Sequence, residues 1–166
     1  MNSTELRNLQ APLKEKYKAE PVSAIITLKA QGNIGEGISC SVETGRALVK
    51  AGLHPATGGD GLLACSGDLL LQALVACAGV TLNAVATALG IEIRNGRVYA
   101  EGDLDFRGTL GVSKEAPVGF TNIRLNFQLD TDATTEQIES LKKLTERYCV
   151  VYQTICNGVQ IETSYK

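Results

Sequence analysis

Cysteine is the residue type of this chain that could carry the most reactive chemistry. The sequence neighbours of two of the five cysteines indicate what those two could do. Cys77 lies inside a long apolar run, where a free cysteine commonly packs as a small hydrophobe. Cys149 lies two residues after Arg147, and a nearby cation favours the reactive thiolate form of a cysteine. These neighbours make Cys149 the better candidate for a lowered pKa, with simple packing at a helix junction as its alternative.

The spacing of the residues does not favour a metal site or a hydrolase. The chain has no Cys-x-x-Cys pair, and Cys149 and Cys156 are too far apart for a zinc ribbon or finger, so no metal site is predicted. The single histidine, His54, would have to serve any hydrolase, yet no Gly-x-Ser-x-Gly nucleophile elbow accompanies it. We interpret His54 as a loop residue stiffened by Pro55. Thiol redox chemistry remains, and it needs two cysteines and no cofactor.

Length and charge narrow the class of protein further. The chain has 166 residues, 44% of them hydrophobic, which suits one domain with a sizeable core. Its 16 basic and 18 acidic residues give a net charge of -2, which argues against binding nucleic acid through bulk electrostatics. An odd number of cysteines and an N-terminus without an apolar signal region predict a protein of the reducing cytoplasm.

One uncharged segment is long enough to be a candidate for a membrane-spanning helix. Residues 69–91 carry no charged side chain and are long enough to cross a bilayer. The segment contains Gln72 and Asn83, however, and the flanking charges are Asp68 and Glu92 rather than lysine or arginine. This pattern favours a buried helix of a soluble protein, so no membrane association is predicted.

The order of elements predicts an α+β fold in which helices pack on sheets. We expect one domain over residues 1–166, and its four parts are an N-terminal arm or short helix over 1–21, strands over 22–52, a central helix over 66–90, and strands, a second helix and a final strand over 91–166. Gly90 should end the central helix, and Thr134 with Gln137 forms a plausible capping box for the second. Because it is apolar on nearly every face, the central helix should be buried throughout.

Several strand positions follow from β-branched residues and turn signals. The first strand is expected over 24–30, followed by a turn at Gly32, Gly35 and Gly37. The remaining strands are expected over 38–42, 47–49, 92–105, 121–129 and 159–163, with a loop over 52–67 and another over 108–119.

Two stretches resemble the motifs of the OsmC/Ohr family. Residues 65–77, CSGDLLLQALVAC, resemble the family's central helix, which leads through small apolar residues to a reactive cysteine. Residues 149–159, CVVYQTICNGV, resemble its second motif, a cysteine followed by a segment that leads through a glycine into the last strand. The resemblance extends over about 24–163. It implies two antiparallel-type sheets around central buried helices, in an intertwined homodimer with its active sites at the subunit interface.

The resemblance also implies an activity, that of an antioxidant thiol peroxidase that reduces organic hydroperoxides. Cys77 would attack the O–O bond and become a sulfenic acid, and Cys149 would condense with it to form a disulfide. A dithiol reductant would then restore both thiols by exchange.

The chain departs from the family pattern in the groups that activate the thiol. The family uses an arginine held by a glutamate ten residues before the reactive cysteine, and that position is Gly67 here. The nearest carboxylate, Asp68, would lie roughly 13 Å from Cys77 along a helix, so we expect it to act only by orienting a cation. The turn at 31–37 has no arginine. The candidate substitutes are Arg46, Lys16 and Lys18.

These departures leave a second hypothesis open. The chain would then be a non-catalytic homodimer of the same fold that binds an apolar ligand or a partner, with its cysteines as packing residues. Val150 and Tyr152, which replace the proline and serine of the second family motif, agree with it. Cys40, Cys65 and Cys156 receive no role, although Cys65 is an alternative to Cys149 as the thiol that resolves the sulfenic acid.

Overall fold

The structure is a computed structural model, and it describes residues 2–20, 32–34, 39–44, 47–111 and 113–165. Helices and short strands alternate along the chain, as an α+β fold requires. In chain order the elements are α1 (Ser3–Ala19), β1 (Gly32–Ile34), β2 (Ser39–Thr44), β3 (Ala47–Gly52), β4 (Ala64–Cys65), α2 (Ser66–Leu89), β5 (Asn95–Leu104), α3 (Phe106–Thr109), β6 (Phe120–Asp130), α4 (Thr135–Tyr148) and α5 (Val150–Asn157).

The described residues form two compact units, each built from separate stretches of the chain. The first, which we call the helical unit, takes its residues from 1–19, 73–99 and 126–166. The second, the strand unit, takes its residues from 20–72 and 100–125.

A four-stranded sheet in the order β1-β2-β3-β4 lies in the strand unit. Strands β1, β2 and β3 pair antiparallel, with Val42 opposite Val49, and β4 joins β3 in parallel, with Gly52 opposite Cys65. The strands predicted at 38–42 and 47–49 are thus confirmed. Gly32 was predicted in a turn, which is wrong because it pairs with Val42 as the first residue of β1. The strand expected at 24–30 lies outside the described residues.

Helix α2 confirms the central helix predicted over 66–90. Gly90 ends it in the left-handed conformation, with φ of 69°, and the next residue, Ile91, donates its N–H to the carbonyl of Ala86. Glycine adopts this conformation without the steric cost of a side chain, which is why it commonly stops a helix.

The prediction that α2 is buried on nearly every face needs correction. One stripe of the helix is buried, formed by Leu74, Ala78, Leu82 and Ala86 at intervals of four residues. Val80, on another face, is 73% exposed. A helix covered along one line by its own chain buries only side chains three or four residues apart. By length and composition alone α2 could also cross a membrane, but Leu82 and Ala86 of its buried stripe pack in the core of the helical unit.

That core lies where α2 meets the β5–β6 sheet and α4. Leu82 and Ile91 pack with the fully buried Leu141 of α4, and Phe127 of β6 packs against them. The capping box is confirmed, since the Thr134 side chain accepts from the N–H of Gln137 and the Gln137 side chain accepts from the N–H of Thr134.

The loop predicted over 108–119 begins later than expected, because a short helix precedes it. Asp105 starts α3 by accepting the backbone N–H of Arg107 and also forms an ion pair with its side chain. A local carboxylate that satisfies a free N–H is a typical start of a helix.

The final strand predicted at 159–163 is wrong. Helix α5 occupies residues 150–157, and residues 158–165 have no regular secondary structure. Ile161, in the middle of the predicted strand, is 79% exposed. A strand requires a neighbouring edge to receive its hydrogen bonds, and within the described part of the chain no strand pairs with this segment.

Candidate thiol site

Cys77 and Cys149, predicted as a pair, lie together in the helical unit. Cys77 occupies the middle of α2 and is half-buried, whereas Cys149 joins α4 to α5 and is 1% exposed. Both are free thiols, and each is among the groups that shift the pKa of the other. The fold therefore brings two thiols from distant parts of the sequence close to each other.

A single non-helical residue creates the geometry of this site. Cys149 has ψ of 108°, which ends α4 and starts α5 in a new direction. Its N–H still donates to the carbonyl of Thr145, and its own carbonyl accepts from the N–H of Gln153. The first N–H groups of α5 therefore have no helical acceptor, as at every helix N-terminus.

Those N–H groups explain the state of the Cys77 thiol. Burial acts to raise the pKa of Cys77, but hydrogen bonds from the backbone N–H groups of Val151 and Val150, with the Cys149 thiol and the Thr81 hydroxyl, outweigh it and lower the pKa. Hydrogen bonds donated to the charged form favour that form. The thiolate of Cys77 is therefore favoured at the N-terminus of α5.

The pKa of Cys149 moves in the opposite direction. Burial is the largest cause and raises it; the N–H of Tyr152 acts against burial without reversing it, and the hydrogen bond and charge of Cys77 raise it further. The prediction that Arg147 lowers the pKa of Cys149 is therefore wrong. The Arg147 guanidinium instead lies over the ring of Tyr148, 5.5 Å from its centre.

The cation expected to activate Cys77 is replaced, among the described residues, by neutral groups. Backbone N–H groups, a hydroxyl and a thiol are the groups that lower the pKa of Cys77. The residues predicted as possible activating cations are Arg46, Lys16 and Lys18. Arg46 and the side chains of both lysines lie outside the described residues. The N-terminus of α5 was not predicted, although Gly158, which follows α5 with a positive φ of 65°, is a residue that commonly ends a helix.

We expect the alkylation of Cys77 to follow its lowered pKa. Since the thiolate is the form that reacts, the midpoint of the iodoacetamide rate against pH should be lower for Cys77 in the folded protein than in the denatured protein. The midpoint of Cys149 should move in the opposite direction in the same experiment. The rates are read for each cysteine from its peptide by mass spectrometry, and the denatured protein serves as the control. A Cys77 midpoint equal in the folded and denatured protein would contradict the arrangement.

Asp68, the third predicted site residue, lies in the strand unit, and it is not among the groups that shift the pKa of either thiol. It lines a cavity of about 370 Å³ within that unit, together with His54 and Cys65. His54 accepts the N–H of Ala56 and stacks on Phe106, with ring centres 4.9 Å apart. Its interpretation as a loop residue agrees with these contacts.

Cys65 and Cys156 are not among the groups that shift the pKa of Cys77 or Cys149. Cys65 is half-buried, and Cys156 is exposed near the end of α5, where it hydrogen-bonds to Tyr152. The side chain of Cys40 lies outside the described residues. Within those residues, no group of three or more His, Cys, Asp or Glu side chains is placed to hold a metal ion.

Solved structures share this fold at low sequence identity. An OsmC-like protein from Mycoplasma pneumoniae is 18% identical with a TM-score of 0.66, over 81% of this chain and 89% of that one. An organic hydroperoxide resistance protein, OsmC, from Legionella pneumophila is 18% identical with a TM-score of 0.62, over 80% and 90%. The organic hydroperoxide resistance protein OhrB of Bacillus subtilis is 20% identical with a TM-score of 0.55, over 82% and 95%.

No curated protein matches the chain. The family model described as OsmC-like protein matches residues 59–164, which include the whole of α2, both strands of the β5–β6 sheet and both thiols of the pair. This match agrees with the shared fold of the solved structures and with the resemblance seen in the two cysteine motifs. The chain belongs to the OsmC-like protein family.

Proposed function

We propose that this protein is a thiol-dependent peroxidase for organic hydroperoxides, with Cys77 as the peroxidatic and Cys149 as the resolving cysteine. The observation that carries the proposal is the pair of neighbouring thiols beside the N-terminus of α5, whose pKa values shift in opposite directions. A peroxidase needs one thiolate to attack and one thiol to follow, and this pair supplies both. Two of the solved structures with this fold are named as organic hydroperoxide resistance proteins.

The first step follows from the lowered pKa of Cys77. Its thiolate attacks one oxygen of the hydroperoxide, so that an S–O bond forms while the O–O bond breaks. Cys77 becomes a sulfenic acid and the leaving alkoxide takes a proton to give the alcohol. The Cys149 thiol, which its raised pKa keeps protonated and which lies close to Cys77, is placed to supply that proton.

The second step follows from what oxidation does to Cys149. The charge of the Cys77 thiolate helps to raise the pKa of Cys149, and a neutral sulfenic acid no longer carries that charge. The thiolate that Cys149 becomes when it gives up its proton is therefore better tolerated after the first step than before it. Its thiolate attacks the Cys77 sulfur, the S–S bond forms, and the hydroxyl group leaves as water once it has taken a proton. A dithiol reductant then reduces the disulfide by exchange.

Replacement of Cys149 tests this sequence of steps. Cumene hydroperoxide added to the wild-type protein should remove two free thiols per equivalent and form a Cys77–Cys149 disulfide, found by peptide mapping. In Cys149→Ser, one equivalent should still be consumed, and the sulfenic acid at Cys77 should persist and react with dimedone. If hydroperoxide consumption is the same in wild type, Cys149→Ser and Cys77→Ser, the proposal is wrong.

The competing proposal is a non-catalytic protein of the same fold that binds an apolar ligand or partner. The observation that favours it is the absence, within the described residues, of a charged group acting on Cys77. It expects a Cys77 pKa at or above about 8.5, because burial alone raises the pKa of a thiol. The downward direction of the Cys77 pKa shift supports the peroxidase, and the alkylation midpoint is the measurement that decides between the two proposals.

We also propose that the protein acts as a homodimer in the cytoplasm. Free thiols suit a reducing compartment, and apolar side chains that one chain leaves exposed suit coverage by a second copy. Val80 of α2 and Val159 after α5 are examples of such side chains. Light scattering after size exclusion should give twice the 17.6 kDa of one chain, whereas a monomer would contradict this proposal.

A further inference from the structure

The side chain of Gln153 forms a hydrogen bond across the junction between α4 and α5. The carbonyl of Glu146 lies in the last turn of α4, where carbonyls have no partner within the helix. The side-chain Nε2 of Gln153, in α5, donates to this carbonyl at 2.8 Å in a partly buried position. The bond therefore links the end of the first turn of α5 to the end of α4 across the non-helical Cys149.

The amide of Gln153 is also held at its other end. The side-chain Nδ2 of Asn157 donates to the Oε1 of Gln153 at 2.8 Å and to its backbone carbonyl at 3.0 Å. Since Oε1 is occupied as an acceptor, the Nε2 group is the end that faces α4. Both ends of one amide are thus satisfied, and its orientation is fixed by partners on both sides.

The direction of α5 matters because its N-terminus contacts Cys77. The backbone bonds of Cys149 join it to Thr145 and Gln153, and the side chain of Gln153 adds a second link, from α5 directly to the end of α4. A turn of α5 would carry its first N–H groups away from the sulfur. We propose that Gln153 is a positioning residue, whose bond to α4 fixes the direction of α5 and so holds those N–H groups on the Cys77 sulfur.

This inference rests on the proposed role of Cys77, but its test needs no hydroperoxide. Gln153→Met keeps the length of the side chain and removes the donor. We expect the Cys77 alkylation midpoint to rise by about one pH unit, which is roughly a tenfold smaller thiolate fraction at neutral pH. Alkylation is measured from the Cys77 peptide well below the melting temperature. Amide hydrogen exchange should speed up at residues 150–152 while Leu141 in α4 keeps its protection.

Asn157→Ala is the milder companion variant, and it remains informative if Gln153→Met does not fold. It leaves the bond to α4 but releases Oε1, so the same shift of the Cys77 midpoint is expected at smaller size. A midpoint unchanged from wild type in each folded variant would overturn the inference, as would exchange that rises evenly over both helices with the midpoint fixed. If the midpoint shifts while wild type consumes no hydroperoxide, the positioning role stands and the peroxidase proposal fails.

Discussion

Cys77→Ser is expected to reduce cumene hydroperoxide consumption to the rate measured without protein. The variant removes the thiolate that the N-terminus of α5 favours, and a serine hydroxyl does not ionise at neutral pH. Because enzymes accelerate their reactions by about a millionfold or more, a fall to the rate without protein is a loss of that whole enhancement. The measurement is the initial rate of hydroperoxide loss with dithiothreitol as the reductant.

Cys156→Ser is the matched control for this variant. Cys156 lies on α5, like the N–H groups that face Cys77, but it is exposed and hydrogen-bonds to Tyr152 instead. Its replacement should leave the rate within about twofold of wild type, because exposed substitutions rarely disturb a fold. An equal loss of activity in both variants would indicate that oxidation of any accessible thiol, rather than the Cys77 site, consumes the hydroperoxide.

The helices whose ends depend on local chemistry were predictable from the sequence. Gly90 ends α2 because only glycine adopts a left-handed conformation at little cost, and Thr134 and Gln137 satisfy free N–H groups within four residues of each other. Such signals depend on neighbours in the sequence. These signals for helix ends therefore do not require knowledge of how distant parts of the chain pack.

Helix α5 was not predicted because its first residues favour a strand. Its effect on the Cys77 thiol depends on a contact between residues far apart in the sequence. Val150 and Val151 are β-branched, and the expected continuation into a last strand reinforced that reading. In the structure the non-helical Cys149 restarts the helix, and the new N-terminus faces a sulfur from α2. Nothing in residues 149–159 alone reveals that this acceptor is present.

The same limit explains why the sequence offers the two thiols as candidates but does not reveal the groups that act on them. The resemblance to a family proposes Cys77 and Cys149, because side chains are visible in a sequence. The requirement that something offset burial was also sound, but it led to a search for arginine and lysine. Backbone N–H groups meet the requirement here, and since every residue except proline has one, no residue type marks them.

Leu141→Ala is expected to be the most destabilising single truncation in the described core. Leu141 is 1% exposed and contacts Leu82, Ala86 and Ile91, so the variant both loses apolar burial and leaves a cavity. Truncations of this kind cost about 2–5 kcal/mol of unfolding free energy, which for a chain of this size is a fall in melting temperature of roughly 5–15 °C. Thermal unfolding followed by circular dichroism measures the effect.

Leu110→Ala controls for the change of residue type, since Leu110 is 55% exposed and should cost less than about 0.5 kcal/mol. Comparable losses in the two variants would show that the core does not depend on Leu141. The variant also separates stability from thiol chemistry. Leu141 lies two turns before Cys149 on α4, so the folded fraction should keep the wild-type Cys77 alkylation midpoint if the N-terminus of α5 sets that pKa. A shifted midpoint at a temperature where Leu141→Ala is folded would instead mean that core packing, rather than the local bonds around Cys149, positions α5.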